Sequence, residues 1–252
     1  MVRYLLLITG FGNPHWDEKV GFLKDNLKQL SATVGHGNTL DVRICQYDRT
    51  RTLDLTDIAS LINGELTVVH KRGFVGDFMR LECTPEFVRA NKYDYVVMLL
   101  DDVRLQADFD LSVLTQIKIS AGMDVVSPCM MHGGRTPYPY MFKQPGSHLL
   151  AIVECCEYFC YLMDANAFAT YHSYISPDNP STWGMDLIIV KVMGLKVALC
   201  NTMTMLHVYI SECYTDLQTS IDQFEKYIAS HKTIRPAFTT PRYTGLVYAK
   251  IE

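Results

Sequence analysis

Asp101 and Asp102 stand side by side directly after an apolar run, Tyr95-Val96-Val97-Met98-Leu99-Leu100. Such a run is the mark of a strand buried on both faces, and the carboxyl end of a parallel strand is where α/β proteins bind ligands. Adjacent carboxylates repel each other, so a bound divalent cation would account for their placement; a strand followed by a plain acidic turn is the alternative. Glu154 and Glu157 form a second acidic pair, after the apolar stretch 149–153. If 149–157 is extended, a separation of three puts them on opposite faces, and only one can point into a site. The loop 71–78, Lys71-Arg72-Gly73-Phe74-Val75-Gly76-Asp77-Phe78, joins two bases to two glycines. It could hold phosphate through backbone groups and positive charge, with Arg72 and Gly76 as its candidates. It matches neither a P-loop nor a dinucleotide fingerprint, and a glycine-rich entry into a helix is the alternative.

These groups need a scaffold that brings them together. Strands are predicted over 3–8, 40–47, 66–70 and 93–100, with helices at 19–30 and 56–61 and a further helix that runs through 85–90. Strand, helix, strand in that order favours a right-handed parallel crossover. Side by side, these strands would bring Thr9, Gly10, Asp48, Arg72, Asp101 and Asp102 to one rim. There Asp48 could accept a hydrogen bond from a base or ribose, and Asp102 could hold a metal that joins two phosphates. A nucleoside diphosphate suits this rim better than a free metal.

The second half predicts a helix at 109–121 closed by Gly122 and a strand from 124 stopped by Pro128. The segment 130–147, rich in glycine, proline and aromatic residues, is expected to face substrate. Strands are expected at 149–156, 159–163 and 195–199, and helices at 165–174 and at 187–193, the latter closed by Gly194. A last helix spans 214–231, and the stretch after it carries Arg235, Arg242, Tyr243 and Tyr248.

Composition bounds the class. At 252 residues, 48% hydrophobic and 20% charged, the chain suits one large core. A net charge of -4 gives no basis for a nucleic-acid partner. The 8 cysteines lack a CxxC pair and read as buried fillers in a reducing compartment. No run approaches a transmembrane length and the first residues lack a cleavable signal's layout, so a cytoplasmic protein is expected. Nothing points to a particular oligomeric state.

Five stretches carry a family likeness: Tyr4-Leu5-Leu6-Leu7-Ile8-Thr9-Gly10, Tyr93-Asp94-Tyr95 through Leu100-Asp101-Asp102, Val153-Glu154, Trp183-Gly184-Met185-Asp186, and His207. Through them the chain resembles GT-A-type glycosyltransferases, specifically the group of large algal-virus enzymes and related plant and bacterial proteins. The resemblance spans about 3–207. It implies an α/β fold with a central mixed, mostly parallel sheet flanked by helices, binding a nucleotide-diphospho-sugar. It further implies a UDP-sugar donor, xylose being one candidate, transfer with inversion to a glycan or glycoprotein hydroxyl, and an infected host cell as the setting if the chain is viral.

The family's D-x-D motif falls on Leu100-Asp101-Asp102, a departure at its first position. The resemblance then makes Asp102 and His207 the ligands of Mn²⁺ or Mg²⁺, with Asp101 on the metal's water shell or the donor ribose. Asp186 becomes the base that takes the acceptor proton, with Glu154, favoured over Glu157 by the family match, as the alternative. Trp183 would stack on a sugar, Gly184 would allow close backbone approach, and Arg135 would touch the acceptor. The bland alternatives are a helix-start Asp186, a buried Trp183 and a half-buried His207.

One domain over 1–252 is expected: a donor half at about 1–128, an acceptor half at about 129–210, and a helical extension at 211–252. A binding module without catalysis, or a nucleotidyltransferase of the same fold, are the competing functions.

Overall fold

A computed structural model describes residues 1–48, 50–208, 217–232 and 243–248. The first half runs β1 (Arg3–Phe11), α1 (Trp16–Thr33), β2 (Thr39–Gln46), α2 (Leu55–Ala59), β3 (Leu66–His70), α3 (Val75–Glu82), α4 (Pro85–Ala90), β4 (Tyr95–Leu100), β5 (Val103–Leu105) and α5 (Leu111–Ala121). The second half runs β6 (Val125–Met130), β7 (His148–Val153), β8 (Cys160–Asp164), α6 (Ala165–His172), α7 (Met185–Ile188), β9 (Val197–His207), α8 (Leu217–Ser230) and β10 (Tyr243–Tyr248).

All ten strands join one sheet in the order β10-β7-β9-β6-β8-β4-β1-β2-β3, with β5 paired to β9. β1 to β4 are mutually parallel, and β6 and β9 run with them. β8, β7 and β5 run the other way. The apolar runs of β1 and β4 sit at the centre and are almost wholly buried, because helices cover both faces there. α1 turns Trp16, Phe22, Leu23, Leu27 and Leu30 inward, an apolar stripe at helical spacing.

Several boundaries differ from expectation. The helix expected to run on into 85–90 is two: Cys83 leaves helical geometry, and Thr84 caps α4 by accepting the Phe87 N–H at 3.2 Å, with Pro85 opening the new helix. β6 runs through Pro128 to Met130. Its pairing with β8 ends at Val126, so the missing proline N–H costs no ladder bond on that side, and the register with β9 shifts just after Pro128. The helix expected at 187–193 closes at Ile188 and continues as turns to Gly194. β9 is one continuous strand where a strand of 195–199 was expected. The C-terminal extension is not only helical: β10 pairs antiparallel with β7 at the sheet edge. Arg235 and Arg242 lie outside the described residues.

Candidate active site

The carboxyl ends of β1 and β4 open into a cavity of about 1030 Å³. The turn after β4 supplies Asp101 and Asp102, and the end of β9 supplies His207. Their meeting is a consequence of strand register. β5 pairs with β9 so that Val103 faces His207, which puts Asp102, one residue earlier, beside the imidazole. Asn26 on α1 fixes β5 in place: its amide donates to the Val103 carbonyl at 2.7 Å and accepts the Leu105 N–H at 2.8 Å. The Val208 N–H donates to the Asp102 carbonyl at 3.3 Å and closes the joint.

His207 Nε2 lies 3.1 Å from Asp102 Oδ2, and Nδ1 lies 2.6 Å from the Arg135 carbonyl oxygen. That carbonyl sets the ring's orientation, the usual device for a metal-binding histidine. The ring also stacks on Phe159, centroids 4.3 Å apart. Burial alone would lower the His207 pKa, but the hydrogen bond and charge of Asp102 outweigh it and hold it above the ordinary value.

A divalent cation fits this pair. Asp102 Oδ1 is buried and has no hydrogen-bond partner, the condition of an acceptor waiting for a positive ligand. One carboxylate and one imidazole are donors suited to Mn²⁺. Among the described residues no group of three or more His, Cys, Asp or Glu could hold a metal by itself.

Asp101, expected at the metal's water shell or the donor ribose, has its Oδ2 engaged elsewhere. The buried Lys19 ammonium lies 2.8 Å from it, and the Gly12 N–H donates to it at 3.2 Å. Lys19 also donates to the Gly12 carbonyl at 3.1 Å. Burial drives the Asp101 carboxyl upward in pKa, and Lys19 opposes that. The adjacent pair thus divides its labour: Asp101 ties the β1 loop to α1, and Asp102 faces His207.

The donor-side rim is partly as expected. Thr9 and Gly10 line the cavity; Thr9 shares a 2.6 Å hydrogen bond with the Tyr158 hydroxyl, and Gly10 takes a φ of 84° where β1 breaks register with β2. Asp48 and Arg72 lie instead in a smaller recess of about 360 Å³ that shares Tyr47 with the main cavity. Two hydrogen bonds from Thr50, 2.8 and 2.7 Å long, hold the Asp48 carboxyl below its ordinary pKa. Gly76 is a correction. Its N–H donates to the Pro180 carbonyl at 2.8 Å and so is unavailable to phosphate, and a Cβ there would meet the same oxygen at 2.8 Å. The glycine of that loop on the cavity wall is Gly73.

Trp183 and Gly184, just before α7, and Asp186 in its first turn also line the cavity. Gly184 has a φ of 85°, and a Cβ would press on Ile228 at 2.8 Å and Phe224 at 2.9 Å of α8, so the glycine serves helix packing as well as the site. Asp186 Oδ2 accepts the Tyr138 hydroxyl at 3.0 Å. Burial, only partly offset by that bond, pushes the Asp186 carboxyl up to about 6. Arg135 lines the same cavity.

Glu154 is the second correction. It lies outside the cavity lining, 3.3 Å from Lys191, and it is Glu157 that faces inward. The premise of the opposite-face argument fails, because β7 ends at Val153 and the chain turns before Cys160, and it is that turn which leaves Glu157 on the cavity wall and Glu154 outside it. Burial, then the nearby Asp186 charge, raise the Glu157 carboxyl to about 8. Thr136 and Tyr138 were not singled out from sequence; their only signal was their place in the glycine- and proline-rich stretch expected to face substrate.

No protein-family model and no curated protein matches the chain. Among solved structures it is similar to GalNAc-T7 with UDP, GalNAc and Mn²⁺, at 9% identity and a TM-score of 0.63, over 90% of this chain and 47% of that one. It is also similar to S. aureus TarS 1-349 in complex with UDP-GlcNAc, at 9% identity and a TM-score of 0.56, over 94% of this chain and 68% of that one. The chain therefore spans about half the length of GalNAc-T7. At these identities the likeness shows the fold, which is the GT-A fold of nucleotide-diphospho-sugar transferases.

Proposed function

We propose that this protein is a metal-dependent glycosyltransferase that moves a sugar from a UDP-sugar to a hydroxyl of a glycan or glycoprotein. The reading is carried by one juxtaposition: Asp102 beside His207, and Asp186 with them in the lining of a single cavity, in a GT-A fold. Asp102 and His207 would hold Mn²⁺ or Mg²⁺, which when bound neutralises charge on the diphosphate leaving group. The structures of similar fold that contain UDP, UDP-GlcNAc and Mn²⁺ support this choice of donor.

The chain's own groups then have separate tasks. Thr9 and Gly10 flank the diphosphate, while Asp48 and Arg72, beyond Tyr47, meet the nucleoside. Trp183 and Arg135 orient the acceptor, with Gly184 leaving room for it. Asp186 takes the proton of the acceptor hydroxyl as its oxygen bonds to the anomeric carbon. The bond from that carbon to the diphosphate breaks, and its electron pair leaves with UDP. Direct attack of this kind inverts the anomeric centre. Residues at about 1–128 form the donor half, those at about 129–210 the acceptor half, and those at 211–252 a C-terminal extension. We place the chain with the large algal-virus enzymes it resembles, with xylose as the transferred sugar and the cytoplasm, of an infected cell if viral, as its setting.

The test is nucleotide release with Mn²⁺ across UDP-xylose, UDP-glucose, UDP-galactose and GDP-sugars, with and without a mixed glycan acceptor. Selective, metal-dependent UDP release stimulated by acceptor is expected. Silence with every donor from folded, metal-loaded protein would return the chain to a binding module, and pyrophosphate release from a nucleoside triphosphate and sugar phosphate would make it a nucleotidyltransferase.

A further inference from the structure

Glu157 is a cavity-wall carboxylate to which the chemistry above gives no task. Its Oε2 accepts the Thr136 hydroxyl at 3.0 Å, and among the described residues no cation forms an ion pair with it. A carboxyl group offers several acceptor positions, so capacity remains on the side that faces the cavity. Two residues along, Tyr138 donates to Asp186 at 3.0 Å, so one short segment, Thr136-Pro137-Tyr138, aims two carboxyl groups from the same wall. Along this segment the Arg135 carbonyl meets His207, Thr136 meets Glu157 and Tyr138 meets Asp186, so Glu157 stands between a proposed metal ligand and the proposed base in the order of the segment's contacts.

The ligand portion that lies between a metal-bound diphosphate and an acceptor hydroxyl is the transferred sugar. We propose that Glu157 binds ring hydroxyls of the donor sugar and thereby sets sugar specificity, with Thr136 as its positioning residue; this rests on the UDP-sugar reading above. A hydroxyl-bearing ring matches a carboxyl group held by a single neutral donor, whereas an anionic ligand would be repelled by Asp186 and Asp102. Burial and the Asp186 charge favour the protonated form of Glu157, and a protonated carboxyl group both donates and accepts. Glutamine reproduces that pattern and leucine removes it.

The experiment is calorimetric titration, with Mn²⁺, of UDP and of UDP-glucose, UDP-galactose, UDP-GlcNAc and UDP-xylose into wild type, Glu157→Gln, Glu157→Leu and Thr136→Val. The readout is the ratio of the Kd of the tightest UDP-sugar to that of UDP. Glu157→Leu is expected to leave UDP affinity unchanged and to raise the ratio about tenfold or more, the loss of one hydrogen bond to a buried carboxyl group. Glu157→Gln should keep the ratio near wild type, and Thr136→Val should raise it by less than leucine does. An unchanged ratio in Glu157→Leu, or equal weakening of UDP and UDP-sugar, would overturn the proposal. If the leucine variant does not fold, Thr136→Val decides alone: a raised ratio with normal UDP binding supports it, and an unmoved ratio overturns it. Wild type that fails to bind UDP with Mn²⁺ would overturn the donor reading itself, and this inference with it.

Discussion

Asp186 and Asp101 are both buried carboxylates near the same cavity, yet their partners assign them opposite tasks. Asp101 has an ammonium 2.8 Å away, whereas the side-chain partner of Asp186 is a neutral phenol. A base with a pKa near 6 is ionised at neutral pH and still basic enough to take a proton as a bond forms. Turnover should therefore fall as pH drops through about 6, and Asp186→Asn should abolish most transfer and flatten that limb of the kcat/KM profile. Stability should move the other way. The folded pKa lies above the ordinary carboxyl value of 3.8, so ionisation opposes folding: the favourable contribution is complete below about 3.8 and lost as pH rises through about 6. Asp186→Asn is then expected to melt at or above the wild-type temperature at pH 8, read by circular dichroism; a lower value would make Asp186 a structural residue. From sequence, Asp186 and His207 were singled out through the family resemblance, and the structure brings both to one cavity. Glu157 was passed over because a turn of the chain, invisible in an alternating pattern, decides which glutamate faces inward.

Elements carry the site through a few joints. Lys19, 1% exposed, fastens α1 to the turn after β4 and to the β1 loop. Removing one member of a buried ion pair strands the other charge, at a cost of about 3–5 kcal/mol, whereas replacing both with apolar residues is near neutral. Lys19→Met alone should thus destabilise strongly, while Lys19→Met with Asp101→Leu should recover most of the loss in urea unfolding and keep Mn²⁺ dependence. Loss of metal dependence in the double variant would return Asp101 to the metal. The joint between α7 and α8 is Gly184. Gly184→Ala combines a positive φ with side-chain clashes on Phe224 and Ile228, and about 1–3 kcal/mol should be lost, with changed Trp183 fluorescence as the wall moves. Unaltered stability would mean that α8 adjusts freely. The apolar runs of β1 and β4 showed these strands in the sequence because burial on both faces leaves no polar interruptions. β5 escaped notice: three residues are too few to show a period, though their pairing with β9 is what joins Asp102 to His207.

At the level of the whole molecule, a parallel half, β1 to β4, meets a mixed half across β8, and the cavity opens where their carboxyl ends and loops converge. The α/β class was readable from the order of strands and helices, since parallel crossovers leave few topologies, whereas the GT-A form of it came from the family resemblance. The entry of β10 into the sheet was not, because an edge strand with Gly245 inside it carries little signal. The separation of Asp48 and Arg72 into a neighbouring recess was also hidden, since strand order sets which loops are adjacent but not which way they lean.

The most direct measurement is electron paramagnetic resonance of Mn²⁺ titrated with protein, with and without UDP. Asp102 and His207 supply only part of a coordination shell, so protein and UDP together should quench the free Mn²⁺ signal far more than either alone. Asp102→Asn should release the metal while leaving the circular dichroism spectrum intact. Equal quenching without UDP, no quenching with it, or an Asp102→Asn variant that captures Mn²⁺ and UDP like wild type would contradict the metal-bridged nucleotide site.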